Sequence, residues 1–538
     1  MRYAVMAAAL LWSWTAFAQT STPIDRNRLD RDQPVTAPDD NRQPPAALPN
    51  SATRIDAAAT GVPIRSIRFE GTQVPQIVAA AAGKFIGSPA DRPALQRLVD
   101  AMTAAYGRSA VALFTIVVPD QDLSSGDLRV AVAEGHVEAV ILTGEVEGRP
   151  LTLVKAYADR LTRERPTSRR TLERYLSLIR DIPGLKVDAS LQSGQGKGGV
   201  RLILKLDYGK PTLTFGFDNR TTTLVRDGQV QATARLYGGL RDGDSTELAV
   251  ASAVDLRDYR YIGLTHSTPV GADGMRLSLS GGYLETRPEN SLIRGKAKTA
   301  GITLSWPVIR AYKRNLTLSA AIDGIDSDNA ALGSLIASER TRAARVAAGY
   351  GQSTGRLSLS GSASISKGLD IVGARVDAPF AETDFLKVNL RAGADRAIGR
   401  RAAIRLRGSG QWSRDRLPAA ERFSVGGPDF GRGFENALIN ADRGVAGLAE
   451  LAWRPLPKGN LAGTELYGFA DMAKVTILQR GPFPRTGFTL GSAGGGIRFA
   501  LKDKVRLDLE AARPFNDPYP GYDRRWRFSI GWKLSLRS

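Results

Sequence analysis

From Pro211 to the C-terminus the sequence alternates in nearly every apolar stretch. Val230, Ala232, Ala234 and Leu236 fall on one face of an extended segment, with Gln231, Thr233 and Arg235 on the other. Met275, Leu277 and Leu279 oppose Arg276, Ser278 and Ser280, and Ile404 and Leu406 oppose Arg405 and Arg407. Val505, Leu507 and Leu509 oppose Arg506, Asp508 and Glu510. The last segment sets Trp526, Phe528, Ile530, Trp532, Leu534 and Leu536 against Arg527, Ser529, Gly531, Lys533 and Ser535. A period of two marks strands with two chemically different faces. A soluble sandwich also alternates, but it rarely keeps one apolar and one polar face from residue 211 to residue 538. Lipid outside and water inside satisfies every such segment.

The pattern predicts sixteen strands, at 211–219, 228–238, 245–255, 259–266, 274–284, 297–306, 315–324, 341–351, 355–365, 385–394, 402–412, 445–454, 464–474, 488–500, 504–512 and 525–536. An even number suits a single-chain bacterial barrel. After the first residues no apolar run is long enough for a membrane helix, which needs ~18 residues or more. Residues 209–538 are therefore read as an outer-membrane barrel.

The N-terminal residues set the compartment. Met1-Arg2 is a short basic start, Tyr3 to Trp14 is mostly apolar, and Ala16-Phe17-Ala18 offers small residues where a signal peptidase cuts. Residues 1–18 are read as a signal peptide. The chain has no cysteine, which excludes disulfides and thiolate metal sites. Residues 19–62 carry Pro23, Pro34, Pro38, Pro44, Pro45 and Pro49 and read as a Pro-rich linker. One short helix fits between Pro23 and Pro34, although Ile24 and Leu29 are too few to define its face.

Between 63 and 208 the texture becomes α+β, and one order of elements occurs twice. A strand at 64–70 is followed by helices at 75–85 and 92–106 and strands at 113–118 and 127–133; Leu95, Leu98, Val99, Met102 and Ala105 mark the buried helix face. Residues 137–142, 151–161, 168–182, 187–191 and 199–206 repeat the order. The units are 63–135 and 136–208, an internal repeat. Each is too small to hide both sheet edges, so an exposed edge is available to an incoming chain.

The longest gap between barrel strands, about 413–444, is read as a long loop folding inward. It holds Val425-Gly426-Gly427-Pro428-Asp429-Phe430-Gly431-Arg432-Gly433-Phe434 and leads into Leu448-Ala449-Glu450-Leu451. Glycines on both sides of Arg432 allow a tight turn that presents one guanidinium to the wall, and its planar fork suits a carboxylate. In Phe469-Ala470-Asp471-Met472-Ala473, alternation places Phe469 and Asp471 on the polar face.

Gly431, Arg432, Gly433 and Phe434 resemble the sixth-loop motif of the BamA-like POTRA-barrel superfamily, and Phe469 with Asp471 resembles its barrel-wall partner. Two tandem POTRA-like units before about sixteen strands resemble the two-partner secretion outer-membrane transporters, the TpsB family of filamentous haemagglutinin and haemolysin exporters. The resemblance covers residues 63–538. It implies a transmembrane antiparallel β-barrel preceded by two α+β POTRA-like domains in the periplasm. It also implies an ion pair between Arg432 and Asp471, and export of a TpsA-like adhesin, cytolysin or toxin driven by folding of that protein outside the cell. Gly431 stands where the family usually has Val, and Ala473 where it often has Gly. Leu534-Ser535-Leu536-Arg537-Ser538 lacks the usual terminal aromatic residue, although alternation reaches Leu536 in phase.

The net charge is +20, and residues 211–538 hold 47 Lys and Arg against 32 Asp and Glu. The charge is spread at alternate positions rather than clustered, which argues against nucleic acid and for a basic lumen or an anionic membrane surface. Arg235, Arg276, Arg405, Arg407, Arg506 and Lys533 are read as lumen residues that favour acidic or polar cargo. Enzyme chemistry fits poorly: His136 and His266 are the only histidines, with no companion at metal spacing, and Gly494-Gly495-Gly496 lies in a strand pattern. No metal or cofactor is expected; His136, after Gly135, is read as a surface turn. A barrel-assembly factor of BamA type and a diffusion porin are the other readings. The former usually has three or more periplasmic units, and the latter has no use for the units or the loop.

Overall fold

The computed structural model describes residues 28–29, 53–145, 151–196, 198–221, 228–289, 292–331, 334–456, 458–502 and 504–537. The expected signal peptide at 1–18 and most of the 19–62 linker lie outside the described residues. Two compact units are present: one contains the described residues from 53 to 209 with 310–312, the other the barrel together with Arg28 and Leu29.

The first unit begins with β1 (Thr53–Ile55), then β2 (Ser66–Glu70), α1 (Gln76–Gly83), α2 (Arg92–Tyr106), β3 (Phe114–Val118) and β4 (Asp127–Glu134). Asp91 starts α2 by accepting the Ala94 N–H at 2.7 Å, with Pro93 in the first turn. The predicted face of α2 is buried in full, and Leu95, Leu98, Val99, Met102 and Ala105 pack with Ile116, Val118, Leu128, Val130 and Val132. The second module repeats this as β5 (His136–Glu145), α3 (Thr152–Leu161), α4 (Arg169–Arg180), β6 (Leu185–Ser193) and β7 (Gly199–Tyr208). Ser168 caps α4 through the Thr171 N–H, 3.1 Å. His136 opens β5 rather than sitting in the expected surface turn, because the strand resumes directly after Gly135.

Both sheets put the module's last strand in the centre. The orders are β1-β3-β4-β2 and β5-β7-β6, with β2–β4 and β5–β7 parallel and β3–β4 and β6–β7 antiparallel. The edge of β3 is not open as expected: β1 lies along it in parallel register, Thr53 opposite Ile116 and Ile55 opposite Val118.

The two modules are joined by backbone. Ala112 N–H donates to the Thr167 carbonyl (3.0 Å), Thr167 N–H to that of Gly135 (3.0 Å) and Arg169 N–H to that of Ala110 (2.7 Å). The Arg169 guanidinium adds bonds to the carbonyls of Tyr106, Ser109 and Val111 at 3.2–3.3 Å.

The barrel is closed, and among the described residues sixteen strands form it. They begin with β8 (Thr212–Asp218), β9 (Gln229–Tyr237), β10 (Ser245–Ala253), β11 (Tyr259–Val270), β12 (Met275–Thr286) and β13 (Ile293–Arg310). Next come β14 (Arg314–Ala331), β15 (Ser334–Thr354), β16 (Leu357–Gly368), β17 (Leu386–Ile398) and β18 (Ala402–Ser413). A loop follows, with a 3-10 turn at Ala419–Glu421 and a small hairpin of β19 (Phe423–Val425) and β20 (Ile439–Ala441). The wall resumes with β21 (Arg443–Trp453), β22 (Glu465–Ile477), β23 (Thr486–Leu501), β24 (Val505–Pro514) and β25 (Arg527–Arg537), and β25 closes on β8.

Each predicted barrel strand has a counterpart, but β13, β14 and β15 are much longer than alternation indicated. At ~3.3 Å per residue, the 21 residues of β15 extend about 70 Å, well beyond an apolar band ~25 Å tall. The outer parts of β14 and β15 are mostly polar, with Asp326, Asp328, Ser338, Glu339 and Arg340, so no apolar face announced them. Leu264, Leu279, Ile302, Ile322, Val346, Leu390, Leu406, Leu451, Met472 and Trp532 are exposed on the outer face, as lipid contact requires. In β22, buried Glu465, Tyr467, Phe469 and Asp471 alternate with exposed Leu466, Gly468, Ala470 and Met472.

Replacing Arg169 with Ala removes the three guanidinium bonds between the modules, at about 1 kcal/mol each. The expected result is faster hydrogen exchange of the 110–113 amides in the full-length protein, with exchange in the α2 core unchanged. Unaltered exchange at 110–113 would show that the backbone bonds alone join the modules.

Candidate functional site

The 414–442 segment lies inside the barrel and is held at three places. At its tip Gly431 has a φ of +80°, a backbone conformation that suits glycine and strains a β-branched residue. A Cβ on Gly433 would lie 2.8 Å from Arg513 C, Pro514 N and Ser492 Cβ, so only glycine lets the loop lie this close to β23 and β24. Between them Arg432 is 7% exposed. Phe434 is fully buried and packs with Phe423, Val425, Ile439, Ala441 and Leu490.

The expected Arg432–Asp471 ion pair takes a different form. Asp471 is buried on the lumen face as alternation indicated, but it accepts the backbone N–H of Arg432 (3.0 Å) and the Ser492 hydroxyl (2.7 Å). The guanidinium instead donates to Glu510 (3.1 Å), Glu450 (3.4 Å) and the Pro428 carbonyl (3.0 Å), and lies 4.6 Å from the centre of the Phe469 ring. The turn at Gly431 sets the main chain of Arg432 over β22, and the side chain then runs towards β21 and β24, where the carboxylates stand on longer stems. Asp471 is thus a backbone anchor and Phe469 a platform for the cation.

Around Arg432 the wall is a continuous charge network. Arg498 grips Glu450 bidentately (2.7 and 2.8 Å) and stacks 3.6 Å from the centre of the Tyr467 ring. The Tyr467 hydroxyl lies 2.8 Å from Glu510 and 2.9 Å from Asp508, and Arg220 reaches Asp508 at 3.2 Å. Arg405 joins Glu450 to Glu465, and Arg454 completes the row on Glu465. Glu510 stood in the quoted alternation and Glu450 in the strand after the motif, so their parity was readable; their partner was not.

At the base of the loop Glu421 is fully buried beneath three cations: Arg28 Nη2 at 2.7 Å, Arg345 Nη2 at 2.9 Å and Lys387 Nζ at 2.7 Å. Arg345 also holds Asp323 at 2.5 and 2.8 Å. Arg28, from the Pro-rich segment, further donates to the Ala420 carbonyl (2.7 Å), a contact with no signal in the sequence. At the rim, Asp442 accepts the N–H groups of Leu417 and Leu478 (both 2.8 Å) and pairs with Arg480, which also bonds the Phe380 and Leu417 carbonyls. Burial and neighbouring Arg422 hold the Arg480 pKa below its ordinary value, against the pull of Asp442.

Along the closed wall β15 stands seven strands from β24 in a ring of sixteen. The loop therefore ties separate parts of the wall together, with its base on β15 and β17 and its tip on β22 to β24, three to seven strands away.

The six expected lumen cations do not form a free basic surface. Arg235 pairs with Glu247 (2.9 Å from Nε), Arg405 with Glu450 and Glu465, and Arg407 with Asp395 (2.8 Å). Arg276 bonds Ser267 and the Gly243 carbonyl at 3.0–3.1 Å. Arg506 and Lys533 stand opposite each other on β24 and β25. Adjacent strands supply acids at matching positions, Glu247 opposite Arg235 and Glu450 opposite Arg405, which a one-strand reading does not reveal.

Double-mutant cycles on heat-induced unfolding separate the two contacts of Arg432. Arg432→Gln with Glu510→Gln is expected to be non-additive by at least ~1 kcal/mol, and Arg432→Gln with Asp471→Asn additive within ~0.5 kcal/mol. Charge reversal at 432 and 471 together should not restore stability. A larger coupling to Asp471 would overturn the assignment.

The chain matches the sequence profile of the haemolysin secretion/activation proteins ShlB/FhaC/HecB over residues 198–499, more than half its length, and that of the ShlB-type POTRA domain over 62–135. It is 22% identical over 485 residues to an outer membrane transporter, CdiB, of Escherichia coli O6:K15:H31, a match covering 84% of this chain and 80% of that protein. The solved structure of CdiB from Escherichia coli superposes with a TM-score of 0.71 at 18% identity, covering 92% of this chain and 94% of the other. CdiB from Acinetobacter baumannii gives 0.61 at 18% identity, covering 96% and 94%. BamA from Haemophilus ducreyi lacking POTRA domains 1–3 gives 0.54 at 13% identity, covering 88% and 100%. The barrel, its inward loop and the preceding POTRA domain place this chain in the ShlB/FhaC/HecB family of two-partner secretion transporters of the outer membrane.

Proposed function

We propose that this chain takes an unfolded partner protein from the periplasm and passes it through its barrel to the cell surface. The observation that carries the reading is the 414–442 loop, tied at Glu421 and at Arg432 to separate parts of the lumen wall of a barrel that follows periplasmic modules. A ring of sixteen strands is wide enough for an aqueous channel, so the loop is what separates a resting state from a conducting one. Passage of an extended chain requires the loop to leave its seat. Ion pairs suit that purpose: breaking one partner of a buried pair is costly, at about 3–5 kcal/mol, whereas the pair as a whole adds little to stability.

The periplasm lacks ATP, and folding of the partner outside supplies direction. An adhesin, a cytolysin or a toxin fits this route equally. The wall cations are already paired, so the lumen offers passing chain a mosaic of both signs, which discourages sticking without selecting acidic cargo.

Two experiments test the reading. Deleting the chain should abolish surface display of one secreted protein; loss of many outer-membrane proteins would indicate an assembly factor, and loss of small-solute uptake a porin. Glu421→Ala, which leaves Arg28, Arg345 and Lys387 without their shared carboxylate, should raise conductance in planar bilayers several-fold by loosening the loop base. Unchanged conductance would mean that the Arg432 end alone holds the loop.

A further inference from the structure

On the outward face of β13 the residues change character along the strand. From the periplasmic end they run Trp306, Leu304 and Ile302, then Ala300, and after it Lys298, Lys296 and Arg294, all exposed. The direction follows from the chain. The second module precedes Thr212 in the periplasm, so β8 runs outward, and by alternation the β12–β13 connection lies at the cell surface. The connections at the other ends of β12 and β13 are short turns, 271–274 and 311–313, as periplasmic turns are.

From Trp306 to Lys298 the strand advances about 26 Å, which at a tilt of ~40° is about 20 Å through the membrane. Trp306 thus marks the periplasmic boundary of the apolar band and Lys298 its outer boundary, with Tyr283 directly opposite Lys298 on β12. Lys296 and Arg294 stand in the headgroup layer above. Three consecutive outward cations occur on no other wall strand among the described residues.

Nearby acids do not match this charge. Glu285 on β12 lies across from both Arg260 on β11 and Lys296. It accepts from Arg287 at 2.6 Å and is 3.9 Å from Lys296, so one carboxylate serves two cations. The outward acids of β14 are taken within their own hairpin, Asp326 by Arg342 and Asp328 by Ser338. Lys298 and Arg294 have no carboxylate partner among the described residues. Elsewhere on the rim outward cations are engaged: Lys367 pairs with Asp384, and Arg414 and Arg443 lie 5.4 and 5.7 Å from the centre of the Trp412 ring. A cation at the edge of the hydrocarbon is costly unless an anion meets it there. In the outer leaflet of this membrane that anion is phosphate, carried on the disaccharide of the leaflet's glycolipid.

We propose that Arg294, Lys296 and Lys298 bind the disaccharide phosphates of the outer-leaflet glycolipid, with Ile302 and Leu304 against its acyl chains. Arg260 and Arg287 flank the site. The lipid then packs on the strand next to β14, whose partner β15 carries Arg345 at the loop base. The inference does not depend on what the barrel carries.

The test titrates the full-length transporter in detergent with lipid A bearing two phosphates, followed by native mass spectrometry. Removing both phosphates from the lipid should weaken binding at least tenfold, a comparison that needs no variant. Arg294→Gln, Lys296→Gln and Lys298→Gln together should weaken binding of the bisphosphorylated lipid by a similar factor. Arg396→Gln, exposed at the periplasmic end of β17, should leave it unchanged. Phosphatidylglycerol at equal concentration should not displace the bound lipid. Equal binding of phosphorylated and phosphate-free lipid, parental binding by the triple variant, an equal loss on Arg396→Gln or ready displacement by phosphatidylglycerol would each overturn the site.

Discussion

A strand that crosses hydrocarbon has nowhere to leave an unpaired N–H or C=O, and everything in residues 212–537 follows from that. The sheet closes on itself, β25 against β8, because an open edge in lipid would cost several kcal/mol per unsatisfied group. Closure separates two solvents. Leu, Ile, Val, Met and Trp occupy the outer positions, and every polar side chain in the membrane-spanning part is forced into the space within. In that confined space charges must find each other, and the wall becomes a lattice in which Glu450 binds Arg405, Arg432 and Arg498 at once. The loop is an extension of this lattice; its arginine completes a wall that already needed cations.

The excess positive charge has a different meaning once the pairs are seen. Four of the six basic positions singled out from alternation bond acids or backbone oxygens of neighbouring strands. At Glu421 three cations, Arg28, Arg345 and Lys387, converge on one carboxylate with Asp323 nearby. There the Pro-rich N-terminal segment, the loop and the wall meet through a single side chain. Substitution of Glu421 therefore acts on all three.

Much of this was legible because membrane strands obey a strict period. All sixteen strands, the two repeated modules and the buried face of α2 follow from alternation and helical spacing, since burial there depends on local sequence. What escaped depends on pairing across sequence distance. Asp471 was placed on the right face and beside the right residue, yet it bonds the main chain of Arg432, because the turn at Gly431 decides where the side chain goes. The pairing of Thr53–Ile55 with β3 lies in a three-residue strand without apolar alternation. The outer halves of β14 and β15 are mostly polar, with Ile325 and Leu335 too isolated to give an amphipathic signal. Arg28 is one arginine in a segment with several.

Those outer halves carry a mechanical corollary. β14 and β15 pair from Arg314 and Gln352 at one end to Ala331 and Ser334 at the other, a two-stranded ribbon standing well clear of the lipid band. Near its middle sit Asp323 and Arg345, and the arginine of that pair also grips Glu421. The ribbon thus joins the charge network of the lumen at a point well inside its length. The position of the loop base is therefore set by the backbone pairing of two long strands as well as by charge.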